Sequence, residues 1–230
     1  MVFRMILAVL FDLDETLLDR TTSLRAFLAD QHRRFGKRLG SAPLSSWRDK
    51  FLTLDERGRT HKSLVYPAIL STFGGDVTAA DALLADYRER CCEYAQAFPA
   101  MPETLASIRA DGLAIGLVTN GEAEFQWRHI EALALREMVD TVLISETEGL
   151  RKPNKVIFLR AAERLNVRPE QCLFVGDNPI ADILGAHAAG MQTAWFRSGM
   201  VWPNDIAAPP GAVVDTLPEV LEVIKAHRAE

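Results

Sequence analysis

The chain alternates between two kinds of hydrophobic pattern. Residues 5–11, MILAVLF, form a continuous apolar run that stops at Asp12 and Asp14 with only Leu13 between them. A run of that length, apolar at every position, predicts a strand buried on both faces of a parallel sheet. The pattern then turns helical for about eighty residues. Leu24, Phe27, Leu28 and Phe35 follow the capping candidates Thr22 and Ser23 at helical spacing. Further helical segments are expected around 45–58, 61–75 and 78–98, with no strand among them.

From Pro99 onward short apolar strands alternate with helices. Strands are expected at 113–120, 139–145, 171–177, 191–196 and 212–215, with helices at 102–112, 122–135, 155–167, 181–190 and 217–230. This alternation predicts parallel strands joined by right-handed crossovers, an α/β fold with a doubly wound sheet. The strand at 5–11 joins that sheet. The expected organisation is an α/β core of residues 1–17 and 98–230, carrying an all-helical insertion at 18–97.

Composition narrows the function classes. The chain has 230 residues, of which 48% are hydrophobic and 25% charged, which is ordinary globular usage and allows a sizeable core. A net charge of -5 with scattered Lys and Arg argues against a nucleic-acid or anionic-membrane surface. Three cysteines, with Cys91 and Cys92 adjacent, make neither a disulfide framework nor a CxxC metal pair, so a reduced, cytoplasmic protein is expected. Arg4 and the run behind it lack a small-residue cleavage site, and the run is shorter than the ~20 residues a membrane span needs.

Three predicted strands end in polar residues at the same relative place: Asp12 and Asp14, then Thr119 and Asn120, then Asp177. All carboxyl ends of a parallel sheet share one edge, and ligands of open α/β folds bind there. Lys152, on the loop after the strand at 139–145, leaves from the same edge. Several acids in one pocket repel each other and ask for a cation, and all-oxygen ligation suits Mg2+ with phosphate oxygens filling further positions. No Cys or His cluster suggests zinc. A phosphoryl group there would face Asp12 as a nucleophile, Asp14 as acid/base, and Thr119 with the backbone N–H groups of Asn120 and Gly121 as oxygen ligands. Lys152 would balance the negative charge.

A lone Asp after a strand is most often a cap or turn residue, and Thr119-Asn120-Gly121 is also an N-cap turn. The combination is what departs from those readings. The segments FDLDETL, LVTNG, RKP and VGDNPIAD resemble, in order, the four motifs of the haloacid dehalogenase (HAD) superfamily. The resemblance implies a Rossmann-like core, Mg2+-dependent phosphohydrolase chemistry on a small phosphorylated metabolite, and a mobile type 1 helical cap. It makes Asp12 the nucleophile, Asp14 the acid/base, Thr119 the phosphate-binding hydroxyl and Lys152 the stabilising lysine. It also gives Mg2+ to Asp12, Asp177 and the Asp14 backbone carbonyl. Asp182 would support the metal shell or orient Lys152.

The dehalogenases that name the superfamily lack the second acid of the first motif, which this chain keeps as Asp14. Phosphomutase relatives keep both acids, often with Gly after the second, where this chain has Glu15. A phospho-accepting receiver module is a rival outside the enzymes, opposed by Asp14 and by the size of the insertion. Within the insertion, Trp47, Phe51, Leu54 and Tyr66 read as a small core. DERGRTHKS reads as a charged loop, or as a source of Arg57, Arg59, His61 or Lys62 for an anionic substrate. The five histidines have surface or packing roles by default.

Overall fold

The computed structural model describes residues 5–206 and 209–227. These fall into two compact units: one made of the described residues up to Asp19 together with those from Ala97 onward, the other Arg20–Gln96.

The first unit is built on six strands: β1 (Ala8–Phe11), β2 (Ala114–Thr119), β3 (Thr141–Ile144), β4 (Cys172–Gly176), β5 (Gln192–Phe196) and β6 (Ala212–Val214). They form one sheet in the order β3-β2-β1-β4-β5-β6, with every neighbouring pair parallel. The α/β, doubly wound architecture expected from the sequence is the one observed. Its chain order reverses between β1 and β4, so the switch point lies where these two strands end side by side. All four residues of β1 and all five of β4 are buried, as befits strands covered on both faces.

Helices α5 (Met101–Ala110), α6 (Ala123–Ala132), α7 (Ser145–Glu148), α8 (Lys155–Arg164), α9 (Gly185–Ala188) and α10 (Glu219–Ala226) accompany the sheet in this unit. Leu10, Val118 and Phe174 from the sheet pack with Ile157, Phe158 and Ala161 of α8, and the Phe158 and Phe174 rings meet edge to face at 4.9 Å. Gly116 in β2 leaves room for Leu10, whose Cδ2 would stand 2.4 Å from a Cβ there and would have to shift. The helix expected at 217–230 is described over Glu219–Ala226. Residues 228–230, like Arg4, lie outside the described residues.

The second unit contains α1 (Arg20–Phe35), α2 (Leu44–Asp55), α3 (Lys62–Phe73) and α4 (Ala80–Arg90), followed by a short 3-10 turn at Cys91–Tyr94. Trp47, Phe51 and Tyr66 have no exposed surface and form its core, with Phe51 and Tyr66 rings 5.4 Å apart; Leu54 is only half-buried. Gln31 is fully buried and satisfied, donating to Leu83 O (3.1 Å) and Asp86 Oδ2 (2.9 Å) and accepting from Tyr66 Oη (3.0 Å).

The segment read as a charged loop behaves differently at its two ends. Asp55 is fully buried; it accepts from Arg20 Nη1 (2.8 Å) and Nη2 (3.1 Å) and from the Gly58 N–H (2.8 Å), and pairs with Lys62. Lys62 also donates to Thr60 O at 3.1 Å and is buried, so this cation faces its own unit's carboxylate. Among the described residues no helix is long and apolar enough to cross a membrane, and Cys91, Cys92 and Cys172 are buried and joined in no disulfide.

Candidate active site

The site begins where β1 runs out. The Asp12 N–H still donates to Val175 O at 2.9 Å, so the extended pairing with β4 continues one residue beyond the strand. Extended backbone alternates its side chains, which puts Asp12 and Asp14 on one side and sends Leu13, fully buried, to the other. The chain then turns sharply. Leu13 O accepts from the N–H groups of Thr16, Leu17 and Leu18 at 3.2, 3.0 and 2.9 Å. Glu15 takes a left-handed φ of 60°, a conformation that costs a non-glycine residue about 1 kcal/mol or more. Asp12 is buried and Asp14 half-buried.

Lys152 reaches this point from the far side of β2. Its Nζ donates to Asp12 Oδ1 (2.6 Å) and Val118 O (2.8 Å) and forms an ion pair with Asp182 Oδ1 at 2.7 Å. Burial works to pull this ammonium group down, but Asp12 and Asp182 more than offset it and hold Lys152 above its ordinary pKa. The loop is fixed by Asn120, whose Oδ1 accepts from the Lys152 N–H (2.9 Å) and whose Nδ2 donates to Lys152 O (3.0 Å).

Asp177 and Asp182 come from the end of β4. Asn178 caps the wide π-helical turn Pro179–Leu184 by accepting from the N–H groups of Ile180 (3.1 Å) and Ala181 (2.9 Å). Asp182 Oδ2 in turn accepts from the Asn178 N–H at 2.9 Å. Gly176 makes room for that carboxylate, because a Cβ there would stand 2.6 Å from Asp182 Cβ, Cγ and Oδ2. Asp12, Asp177 and Asp182 each bring one carboxylate oxygen to within 4.8 Å of the others, the one such group of potential metal ligands among the described residues.

Burial pushes Asp12 well above the usual carboxylate range; Lys152 opposes this, and Asp182 and Asp177 add to it. Three buried carboxylates against one ammonium leave a negative excess built of hard oxygen donors. That donor set fits a divalent cation of the Mg2+ type and does not fit a thiolate- or imidazole-seeking metal. The Asp14 carboxylate stands outside this trio.

The end of β2 carries Thr119, buried, whose Oγ1 accepts from Gln126 Nε2 at 2.9 Å. Gly121, expected to offer its N–H to a phosphoryl oxygen, is bonded within the protein. Its N–H donates to Ser145 Oγ at 3.0 Å, and the Ala123 N–H is taken by Glu146 Oε2 at 2.7 Å, so Ser145 and Glu146 of α7 occupy amide donors at the start of α6. Ser145, Glu146 and Gln126 were not among the sequence candidates, since polar residues on short helices and helix surfaces carry no distinguishing pattern. Asp12, Asp14, Thr119, Asn120, Lys152, Asp177 and Asp182 all lie at the carboxyl edge of the sheet or are linked through it.

Comparison with known proteins bears on the family and the fold. The family model of haloacid dehalogenase-like hydrolases matches residues 6–190. The chain is 33% identical to a glyceraldehyde 3-phosphate phosphatase of Methanopyrus kandleri, over 96% of this chain and 98% of that protein. It is 30% identical to a phosphoserine phosphatase of Thermus thermophilus, over 92% and 96%. Among solved structures, the HAD-hydrolase YfnB of Bacillus subtilis, bound to magnesium, shares the fold with a TM-score of 0.74 at 24% identity, over 96% of this chain and 99% of that one. A 2-haloacid dehalogenase of Pseudomonas syringae pv. Tomato DC3000 matches with a TM-score of 0.63 and 29% identity over the same shares. Motif order, a sheet that reverses at β1 and β4, and a family match across most of the length together establish that this chain belongs to the haloacid dehalogenase-like hydrolases.

Proposed function

We propose that this HAD-like phosphatase cleaves small phosphate monoesters through an aspartyl-phosphate formed on Asp12. The carrying observation is the meeting of Asp12, Lys152, Asp177 and Asp182 at the β1–β4 switch point, with Lys152 Nζ 2.6 Å from Asp12 Oδ1. With Oδ1 held by the ammonium group, attack on phosphorus falls to Oδ2 of Asp12. The Asp12 oxygen–phosphorus bond forms as the ester oxygen–phosphorus bond breaks, and Asp14 gives the leaving oxygen its proton. Asp14 then takes a proton from the water that attacks the aspartyl-phosphate, which releases inorganic phosphate and restores Asp12.

Thr119 Oγ1 donates to a phosphoryl oxygen, and the Asn120 N–H adds a second donor. Lys152 keeps Asp12 oriented and neutralises charge as the phosphoryl group arrives, while Asp182 fixes Lys152 from behind. Asp12, Asp177 and the Asp14 backbone carbonyl would hold Mg2+, which when bound supplies positive charge to the phosphoryl oxygens. The retained Asp14 supports phosphate over carbon–halogen chemistry, because ester cleavage needs a proton donor for the leaving oxygen.

The substrate class is a small phosphorylated metabolite. Relatives named for glyceraldehyde 3-phosphate and for phosphoserine support that size and type. The Arg20–Gln96 unit serves as the specificity-setting cap, and three buried cysteines joined in no disulfide suit a reducing, cytoplasmic setting. Asp12→Asn, assayed for phosphate release from a generic phosphomonoester with Mg2+, is expected to lose turnover by several orders of magnitude. Activity near wild type would remove Asp12 as nucleophile and with it this function.

A further inference from the structure

Gln126 lies on α6 between the partly buried Phe125 and Trp127, and only 3% of it is exposed. Helical side chains lean toward their own N-terminus, and this one lies back over the 119–121 segment. Its Nε2 stands 3.0 Å from Asp14 Oδ2, 2.9 Å from Thr119 Oγ1 and 3.1 Å from Asn120 O. Two protons therefore serve three acceptors, while among the described residues the buried Oε1 has no hydrogen-bond partner. An apolar side chain of the same volume would fill this space without burying an unpaired carbonyl. Gly121 is shaped to this side chain, since a Cβ there would lie 2.8 Å from Gln126 Cγ and Nε2.

We propose that Gln126 is a positioning residue that locks the Asp14 carboxylate and the Thr119 hydroxyl into one arrangement, so that proton donor and phosphate ligand meet the same ester. The inference rests on the roles given above to Asp14 and Thr119. A hydroxyl that accepts from Nε2 must turn its own proton elsewhere, which leaves it to donate to a phosphoryl oxygen. A carboxyl group whose Oδ2 accepts from Nε2 presents Oδ1 to the leaving oxygen. The amide thus settles which oxygen of Asp14 carries the transferable proton and where the Thr119 proton points.

The test compares two monoesters with Mg2+ present: p-nitrophenyl phosphate, whose leaving group departs without a proton, and glycerol phosphate, whose alkoxide needs one. Gln126→Leu and Gln126→Met are expected to lower kcat/KM for glycerol phosphate by about 100-fold and for p-nitrophenyl phosphate by less than about 10-fold. Inhibition by inorganic phosphate should weaken, and thermal stability should stay near wild type or rise. Equal losses on both esters, or a melting temperature that falls with activity, would mean that Gln126 only fills space and would overturn the proposal. Asp14→Asn on the same ester pair separates the two levels. If it shows the leaving-group split and the Gln126 variants do not, Gln126 is refuted while Asp14 stands. If Asp14→Asn shows no split, the acid role fails and the role of Gln126 fails with it.

Discussion

Asp55→Asn is the sharpest test of how the helical unit is held together. The wild-type carboxylate is fully buried and receives two bonds from Arg20, one from the Gly58 N–H and a pairing from Lys62, whose side chain is 9% exposed. Burial pushes Asp55 up, but Arg20 and then Lys62 outweigh it and hold the carboxyl below its ordinary value. Asparagine keeps the shape and removes the charge, leaving a guanidinium and an ammonium group facing each other with no anion. Breaking a buried pair from one side costs about 3–5 kcal/mol, or two to three and a half orders of magnitude in the unfolding equilibrium at ~1.4 kcal/mol per tenfold.

In urea, followed by circular dichroism, an m-value near 2 kcal/mol/M converts that loss to a midpoint lower by about 1.5–2.5 M. The sign with pH follows from the depressed pKa. Asp55 contributes its stability above the unfolded-state value near 4 and loses it as pH falls through the lower folded-state value. Wild type and variant should therefore differ most near pH 7 and converge below about pH 4. A variant within about 1 kcal/mol of wild type at pH 7, or a gap unchanged at pH 3, would show that this cluster is not what ties α1 to the α2–α3 turn.

Three further outcomes are expected. Lys152→Met removes the cation between Asp12 and Asp182 and should lower kcat by at least about 10²–10³-fold and stability by about 3–5 kcal/mol, read from phosphate release and urea melts. Gly176→Ala drives a methyl group into the Asp182 carboxylate, 2.6 Å away, and should cost about 1–3 kcal/mol with at least a 10-fold loss of activity as Asp182 leaves Lys152. Chelation should abolish turnover and added Mg2+ should restore it, as followed by continuous phosphate release.

The strands were legible because parallel strands covered on both faces have to be apolar at every position, and residues 8–11 and 172–176 obey that without exception. The strand expected at 139–145 ends earlier, at Ile144, because Ser145 already opens α7 and turns its hydroxyl to the Gly121 N–H. The acids at strand ends were legible from spacing alone, since topology brings strand ends together. Contacts that depend on helix phase were not. Gln126 sits in a helix between Phe125 and Trp127, where nothing in the sequence marks it as site-facing, and its side chain fills the space left by Gly121, a fit that no linear pattern encodes. The Asp55–Lys62 pair was hidden for a related reason. Charged residues are exposed by default, and only the turn of the chain at Glu56 and Arg57, both with positive φ, folds the two charges inward.

One small stitch beside the site has a larger consequence. Leu18 and Ala97 form an antiparallel bridge, and the Phe98 N–H donates to Leu17 O at 2.9 Å. The positions where the chain leaves the sheet unit and comes back to it are thus sewn together by that unit's own backbone. The long excursion in between is a closed bulge on the thread, and inside it the Gln96 N–H donates to Ser23 Oγ at 2.9 Å. The Arg20–Gln96 excursion is therefore fastened at its base by the sheet unit, which keeps the register that aligns Asp12 with Asp177.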